Sequence, residues 1–297
     1  MRIITRGDLD GLTSSALITS VEQIDAMELV HPKDMQDGRV NVTGSDIIVN
    51  LPYHPACGMW FDHHQGIEGG PAPTNYKGRY GVAPSASRLV FEHYSERFPA
   101  LEKFGELVSE TDRIDSAQLT LEDILRPKRY VLLSYTLDPR TGLGGPFRSY
   151  FAHLLNWIKV QPINEVLRMP EVKERTDSIL ANEKKFEREL KRHSKLDGNV
   201  VITDFRRLAE RPVGNRFLVY ALYPEANVWA NVFRAHDPNL VVISLGHSIL
   251  NRTCTVDVGQ LLAGYGGGGH RGAGTCQVAK TKAARVMKEI IEVLKEG

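Results

Sequence analysis

The sequence has few cysteines, no CxxC motif and no long apolar run. Cys57, Cys254 and Cys276 lie far apart, which excludes a disulfide framework and a thiolate metal site and favours a reducing compartment. No stretch approaches the roughly 20 apolar residues that cross a bilayer. Charges at Arg6 and Asp8 interrupt the N-terminus where a signal peptide would have its apolar core. We therefore expect a soluble cytoplasmic protein without a membrane partner.

The sequence also lacks an excess of charge of either sign. It has 37 Lys and Arg against 36 Asp and Glu, a formal net charge of +1. Overall charge therefore gives no reason to expect attraction to bulk nucleic acid or to a membrane, although a local basic patch is compatible with it. With 297 residues, 42% of them hydrophobic, the chain is predicted to form one large globular domain or two ordinary ones.

Short apolar runs alternate with helical patterns in the first third of the chain. Arg2–Thr5, Ser45–Asn50 and Cys57–Phe61 read as buried strands, and Ser85 as the N-cap of a helix. Strands that alternate with helices favour a parallel sheet with crossover helices. A loop rich in glycine and proline spans Gln65–Pro84, and loops of that length are usually functional or mobile.

The second half begins with a long amphipathic helix over Pro170–His193, which the Asp197-Gly198 pair is expected to stop. A second α/β pattern follows. It comprises strands at 199–203, 227–234 and 240–245 and helices near 215–222, 258–263 and 282–294. We therefore predict an α/β protein with an N-terminal parallel-sheet domain over 1–160, a helical linker over 161–197 and a smaller C-terminal α/β domain over 198–297.

Polar residues follow each of the three predicted N-terminal strands. Asp8 and Asp10 follow the first, Asn50 ends the second, and the Asp62-His63-His64 sequence follows the third. The carboxyl ends of parallel strands line one crevice, so these side chains should converge. Carboxylates with imidazoles suit a divalent ion such as Mn²⁺. An ordinary Asp-x-Asp-Gly turn is the alternative for the first group.

A run of glycines near the C-terminus, Gly266–Gly274, contains His270 and Arg271. Glycine lets backbone N–H groups approach an anion closely, and the two side chains could add charged hydrogen bonds. This pattern favours contact with a phosphate or phosphodiester. A flexible loop without a ligand is the alternative.

Taken together, the Asp8–Gly11 motif, the Asp62–His64 motif and the glycine run resemble the DHH phosphoesterase superfamily in order and spacing. Its members include exopolyphosphatases, family II pyrophosphatases, RecJ-type exonucleases, nanoRNase/pAp phosphatases and cyclic-dinucleotide phosphodiesterases. The small exopolyphosphatase-related proteins are the most similar in character. The resemblance implies a catalytic DHH domain, a C-terminal DHH-associated substrate domain, and hydrolysis of a phosphate ester or anhydride by metal-activated water.

The resemblance also implies roles for individual residues of the N-terminal half. Asp8, Asp10, His63 and Asp112 match metal ligands, with Asp115 as the alternative to Asp112. His64 is expected to face the substrate and to assist the reacting oxygen. Asp62 is expected to orient the His63 imidazole.

A second set of residues is implied to hold the substrate phosphate. For one member of this set, Arg252, the alternative is an exposed side chain without a role in binding. The set comprises Arg252, Thr253, Gly267, Gly268, Gly269 and His270.

Two positions depart from the family pattern. Arg6 stands where the first motif often has a histidine, and Asn50 stands where the second motif has a bridging aspartate. An amide is a poor ligand for a hard cation and a guanidinium cannot be one. Either the protein is a one-metal enzyme in which Arg6 supplies the missing positive charge, or it has lost catalysis and binds a nucleotide or oligonucleotide.

The sequence leaves the ligands and the assembly open in several respects. The substrate class is a small phosphorylated molecule or short oligonucleotide: polyphosphate, pAp, short RNA or a cyclic dinucleotide. Mg²⁺ is the alternative to Mn²⁺, and a homodimer is an open expectation. No polybasic stripe or aromatic ladder for a long single strand stands out in the sequence.

Overall fold

The computed structural model describes residues 1–64, 73–138 and 143–297. The chain divides into two compact units: residues 1–118 with 128–177, and residues 119–127 with 178–297. The predicted loop over Gln65–Pro84 lies partly outside the described residues, since 65–72 are not among them.

A parallel five-stranded sheet forms the centre of the first unit. Its strands pair in the order β2-β1-β3-β4-β5, and every pairing is parallel. The three predicted strands are confirmed as β1, β3 and β4, whereas β2 and β5 carried no clear signal because they are short and half-exposed. The strands are β1 (Arg2–Thr5), β2 (Ala26–Leu29), β3 (Asp46–Val49), β4 (Met59–Asp62) and β5 (Gly78–Tyr80).

Some helices pack against the faces of this sheet, and others follow it in the chain. Asp8 caps α1 by accepting a hydrogen bond from the Gly11 amide, and Ser85 caps α3 as predicted. One large apolar cluster contains Ile3, Phe61 and most of the helices, and a smaller one lies on the other face of the sheet. The helices up to the long one are α1 (Leu9–Ile18), α2 (Pro32–Gln36), α3 (Ala86–Tyr94), α4 (Gly105–Asp115), α5 (Leu121–Leu125), α6 (Arg129–Tyr135), α7 (Gly145–Ile158), α8 (Ile163–Val166) and α9 (Pro170–His193).

The second unit is built on a mixed six-stranded sheet in the order β10-β11-β9-β8-β7-β6. Only the β7–β8 pairing among these is parallel. Apolar clusters cover both faces, with α12 on one of them. The elements are β6 (Ser194–Asp197), β7 (Val200–Asp204), α10 (Leu218–Leu222), β8 (Val228–Arg234), β9 (Leu240–His247), α11 (Val258–Ala263), β10 (Gly268–His270), β11 (Ala273–Ala279) and α12 (Ala283–Lys295).

One turn differs from the prediction. The Asp197-Gly198 pair does not stop α9, which already ends at His193. The chain continues directly into β6, and Gly198, with a φ of 65°, makes the tight turn into β7. Gly198 and Asn199 form the two-residue turn between Asp197 and Val200, and glycine at a left-handed position favours such a hairpin. No described helix combines the length and the apolar character that a membrane crossing requires.

Candidate active site

Three neighbouring strands deliver the polar motifs to one edge of the parallel sheet. β1 lies beside β3, with Thr5 opposite Val49, and β3 lies beside β4, with Val49 opposite Phe61. The residues that follow these three positions are the ones singled out from the sequence. Parallel pairing therefore brings the Asp8, Asn50 and Asp62 motifs together, as the strand-end argument predicted.

Asp10, His63 and Asp115 form a compact group in which one ligand atom from each residue lies within 4.8 Å of the others. The His63 Nε2 atom is 3.8 Å from Asp10 Oδ2 and 3.2 Å from Asp115 Oδ2. Asp10 is almost fully buried, whereas Asp115 is partly exposed. Two carboxylates and an imidazole in this arrangement are a ligand set for a divalent cation.

The N-terminus of α3 holds the Asp10 carboxylate in place. Its two oxygens accept hydrogen bonds from the backbone N–H groups of Ala86 (2.9 Å) and Ser87 (2.7 Å). Burial raises the pKa of Asp10 to about 7, and the nearby Asp115 carboxylate acts in the same direction. The cluster therefore concentrates negative charge that, without a cation, favours uptake of a proton.

His63 presents its Nε2 atom to this cluster, and its Nδ1 atom faces the backbone. Its Nδ1 lies 3.1 Å from the carbonyl oxygen of Ala83, and because a carbonyl only accepts, Nδ1 carries the hydrogen. Nε2 is buried without a hydrogen-bond partner among the described residues. Burial lowers the pKa of His63, but Asp115 and Asp10 outweigh it and raise the pKa to about 9. A ring nitrogen that faces two carboxylates without a well-aligned hydrogen bond fits a bound cation, which would replace the proton.

Asp112, expected as a metal ligand, does not join this cluster. Its Oδ1 accepts a hydrogen bond from the Ser85 hydroxyl at 2.6 Å. Its Oδ2 is engaged by the Arg88 guanidinium through Nε and Nη2, at 2.9 and 2.5 Å. With both oxygens turned to these partners, the geometry favours the alternative, Asp115, which lies one helical turn further along α4. Asp112 instead anchors α4 to the start of α3.

Asp8 lies in the same crevice, and both of its oxygens have other contacts. Arg6 Nε is 3.0 Å from its Oδ2, while its Oδ1 accepts hydrogen bonds from Asn50 Nδ2 (3.0 Å) and the Gly11 amide (2.9 Å). The Asp8 charge raises the pKa of Arg6 and keeps the guanidinium protonated. The two departures from the family pattern therefore both contact Asp8, and Arg6 balances its charge.

Asp62 orients the second imidazole and not the first, which corrects the expectation. Its Oδ1 accepts from His64 Nδ1 at 2.7 Å and from the backbone N–H groups of His63 and His64 at 3.0 and 3.3 Å. His63 is oriented by Ala83 instead. The His64 Nε2 atom lies 3.5 Å from Arg6 Nη1. Asp62 thus fixes both the His64 ring and the turn that carries the two histidines.

Comparison with solved structures gives a match along the whole chain. The pGpG-specific phosphodiesterase PggH from Vibrio cholerae is 37% identical, with a TM-score of 0.82 and 99% of each chain covered. The chain belongs to the DHH phosphoesterase superfamily. The α/β fold and the phosphoesterase activity that the motifs predicted are thereby confirmed.

A more distant match bears on the fold alone. RecJ from Thermus thermophilus, in complex with Mn²⁺, has a TM-score of 0.59 at 13% identity, and the match covers all of this chain and 52% of RecJ. No family model and no curated protein sequence matched the chain.

The glycine run of this DHH phosphoesterase forms an edge hairpin and not an open loop. Gly268–His270 is β10, paired with β11 through Gly269 and Gly274. A Cβ at Gly267 would lie 2.2 Å from the Thr275 carbonyl oxygen, and one at Gly269 would lie 2.2 Å from that of Ala273. Close packing therefore requires these two glycines, independently of any ligand.

The remaining predicted substrate residues lie on the surface of the second unit. Arg252, Thr253 and His270 are exposed. Arg252 Nε donates to the Ile249 carbonyl (3.1 Å) and His270 Nδ1 accepts from the Gly272 amide (3.2 Å). Their side chains are thus accessible to a ligand, and their role in phosphate binding stays a prediction.

Several residues that shape the site were missed by the sequence argument. Ser87, Arg88 and Ala83 contact Asp10, Asp112 and His63, respectively. Ser85 was identified only as a helix cap. Because a helix N-terminus is a ready anion site, the cap could have suggested that a carboxylate lies there; nothing in the sequence indicated which one.

Proposed function

We propose that this DHH phosphoesterase hydrolyses short 5′-phosphorylated dinucleotides of the pGpG type to mononucleotides. The observation that carries the proposal is the 37% identity to the pGpG-specific enzyme over 99% of both chains. A match without long insertions leaves little room for a different substrate domain. The near-zero net charge of the chain also agrees with a small substrate better than with a long nucleic acid.

We propose further that Asp10, His63 and Asp115 hold one divalent ion, with Asp8 beside them. An imidazole with two carboxylates suits Mn²⁺, and Mg²⁺ is the alternative. When bound, the ion would supply a water of lowered pKa and would neutralise charge on the phosphoryl oxygens. Asp8 is already satisfied by Arg6 and Asn50, so it has little negative charge left to hold a second ion.

The chain's own side chains would position the phosphodiester. Asp62 keeps the hydrogen on His64 Nδ1, which leaves Nε2 to exchange a proton with an attacking or leaving oxygen. Arg6 lies next to that nitrogen, and its guanidinium can hold a phosphoryl oxygen. In the second unit Arg252 and His270, with Thr253 and the backbone of Gly267, Gly268 and Gly269, would bind the terminal phosphate.

A substrate panel tests the proposal. Linear pGpG, a second linear dinucleotide, a cyclic dinucleotide, pAp and polyphosphate are each incubated with Mn²⁺, with Mg²⁺ and with a chelator. We expect metal-dependent release of mononucleotides from linear dinucleotides, and little from the cyclic compound or polyphosphate. Faster turnover of polyphosphate or pAp would overturn the substrate assignment. Binding without turnover under every metal condition would favour the degenerate nucleotide-binding protein. We place the activity in the cytoplasm, and a homodimer stays a prediction.

A further inference from the structure

A cavity of about 690 Å³ lies in the second unit, away from the glycine hairpin. The glycine hairpin contains β10, the strand at one edge of the six-stranded sheet, whereas β6 at the opposite edge lines the cavity. Its other walls come from the end of α9, the β7–β8 part of the sheet and α12. The volume is in the range of small-molecule sites in proteins.

One wall of the cavity is apolar. Ile202 and Val232 lie on neighbouring strands of the sheet, and Met287 and Ile291 face them from α12. The first three are buried and Ile291 is half-buried. The wall therefore offers a narrow apolar contact surface, with Ile291 its most accessible member, and covering it gains about 25 cal/mol per Å².

The rest of the lining carries an excess of positive charge. Six Lys and Arg side chains line the cavity against three carboxylates. The carboxylates have partners within the lining: Asp204 with Arg206 (2.6 Å), Asp197 with Lys295 (2.5 Å) and Glu292 with Lys288 (3.9 Å). Arg192, Lys195 and Arg207 form no ion pair with a carboxylate among the described residues, although Arg207 adds to the effect of Arg206 in lowering the pKa of Asp204.

These three cations come from different elements. Arg192 lies in the last turn of α9, Lys195 on β6 and Arg207 after β7. A stripe on a single helix is usually a solvated face, but here folding gathers the charges around one concave surface with an apolar wall. The combination matches a ligand that has several negative charges at one end and a planar apolar group at the other.

We infer that this cavity is a second binding site, separate from the catalytic crevice, for a nucleotide that carries two or more phosphates. The phosphates contact Arg192, Lys195 and Arg207, and the base or sugar packs against the apolar wall. The chain contributes no metal ligand group to the cavity in the part that the structure describes. We assign the site a binding role, with an effector of the enzyme or a passive ligand as its occupant.

The test uses the full-length protein with a chelator present, so that the catalytic site stays metal-free. GTP, ATP and inorganic tripolyphosphate are titrated by calorimetry, and hydrogen exchange locates the protected segments. We expect a nucleoside triphosphate to protect 192–207 and 284–295 and to bind at least about tenfold more tightly than tripolyphosphate. Affinity should fall with ionic strength.

Two variants and a charge-matched control complete the experiment. Arg192→Gln with Lys195→Gln and Arg207→Gln should weaken binding at least about tenfold. Lys280→Gln with Lys282→Gln and Arg285→Gln removes the same charge outside the cavity lining and should leave affinity within about twofold. Ala284→Trp, at the rim of the apolar wall, should weaken nucleotide binding and leave tripolyphosphate unaffected.

The inference fails if neither segment is protected at millimolar nucleotide, or if the control weakens binding as much as the cavity variant. Equal affinity for tripolyphosphate and nucleotide, with no effect of Ala284→Trp, would overturn the nucleotide assignment.

Discussion

The catalytic crevice has two halves that both contain aspartate, but the partners of the aspartates differ. On one side Asp10, His63 and Asp115 point ligand atoms at one another, and the buried His63 Nε2 atom lacks a hydrogen-bond partner among the described residues. On the other side Arg6 pairs with the Asp8 carboxylate at 3.0 Å and Asn50 donates a hydrogen bond to it. The first half sets two carboxylates against one imidazole, whereas in the second Arg6 balances the charge of Asp8. The second half still contains two buried atoms without a well-aligned hydrogen bond among the described residues, Arg6 Nε and Asn50 Oδ1.

This difference shows that the ability of each half to bind a metal ion depends on how much carboxylate charge is left unbalanced, and not on the number of acidic residues. A carboxylate that already has an arginine and an amide as partners gains little from a cation, which would have to displace them. A carboxylate that faces another carboxylate gains much. The comparison therefore predicts one ion and assigns it to the first half.

The largest effect is expected from loss of the first half. His63→Ala removes the ring nitrogen between the two carboxylates, and the lost electrostatic stabilisation of several kcal/mol corresponds to about a 10³-fold fall in kcat/KM. Assays with linear dinucleotides measure it, and a chelator should reproduce it in the unaltered protein. His31→Ala, which removes an exposed imidazole, is the control. Activity within tenfold of normal in His63→Ala would contradict the assignment.

The next largest effect sharpens the choice between two aspartates on α4. Asp115→Asn removes a carboxylate that faces His63, so affinity for Mn²⁺ should fall by more than about 100-fold. Asp112→Asn changes only the support around Ser85 and Arg88, so affinity should fall by less than about tenfold, in the range of outer contacts at metal sites. Calorimetric titration with Mn²⁺ measures both variants.

For protein stability the order of the two variants should be reversed, with the larger effect expected from Asp112→Asn. Asp112→Asn leaves the half-buried Arg88 with a weaker partner and should lower the free energy of unfolding by about 1–3 kcal/mol. In the metal-free protein Asp115→Asn should change it by less than about 1 kcal/mol, because lost attraction to His63 is offset by relieved repulsion with Asp10. Urea unfolding checks this. If Asp112→Asn and Asp115→Asn lowered the affinity for Mn²⁺ equally, the assignment of Asp115 and not Asp112 as the metal ligand would be wrong.

A smaller effect is expected outside the crevice. The positive charge of Arg6 is already shared with Asp8, so part of the phosphate affinity should come from the second unit. Arg252→Ala should lower kcat/KM by about 2 kcal/mol, or roughly 30-fold, the scale of a lost charged hydrogen bond. Steady-state kinetics at several substrate concentrations test it, with Lys280→Ala as an exposed control. Unchanged kinetics would remove Arg252 from the substrate site.

The smallest change in rate, within about tenfold, is expected when the Arg6 and Asn50 half is given metal ligands. Arg6→His together with Asn50→Asp removes the fixed cation and supplies two ligands, which should raise the metal content from one ion per chain to two. Either change alone should do less. Native mass spectrometry counts the ions. Two ions in the unaltered protein would break the comparison between the halves.

The sequence determined much of the framework on its own. The β-branched runs at Arg2–Thr5 and Asp46–Val49 became strands, and α9 has the predicted bounds, because local periodicity and buried apolar runs are properties of the segment itself. The positions of Asp8, Asn50 and Asp62 after strands placed them at one sheet edge. Short or glycine-rich strands such as β2 and β10 were missed, because pairing with a neighbouring strand determines them and not their own propensity.

The choice of partners was decided by the tertiary structure. Asp112 and Asp115 are three residues apart on one helix and therefore share a face, so spacing could not tell which reaches His63. The packing of α3 against α4 decided it, since Arg88 and Ser85 take Asp112 and leave Asp115 free to face the histidine. Likewise, Arg192, Lys195 and Arg207 surround one cavity only because a helix end and two strands meet there. Sequence sets which groups each segment carries, while the long-range contacts that fix their distances, and so their charge interactions, exist only in the folded chain.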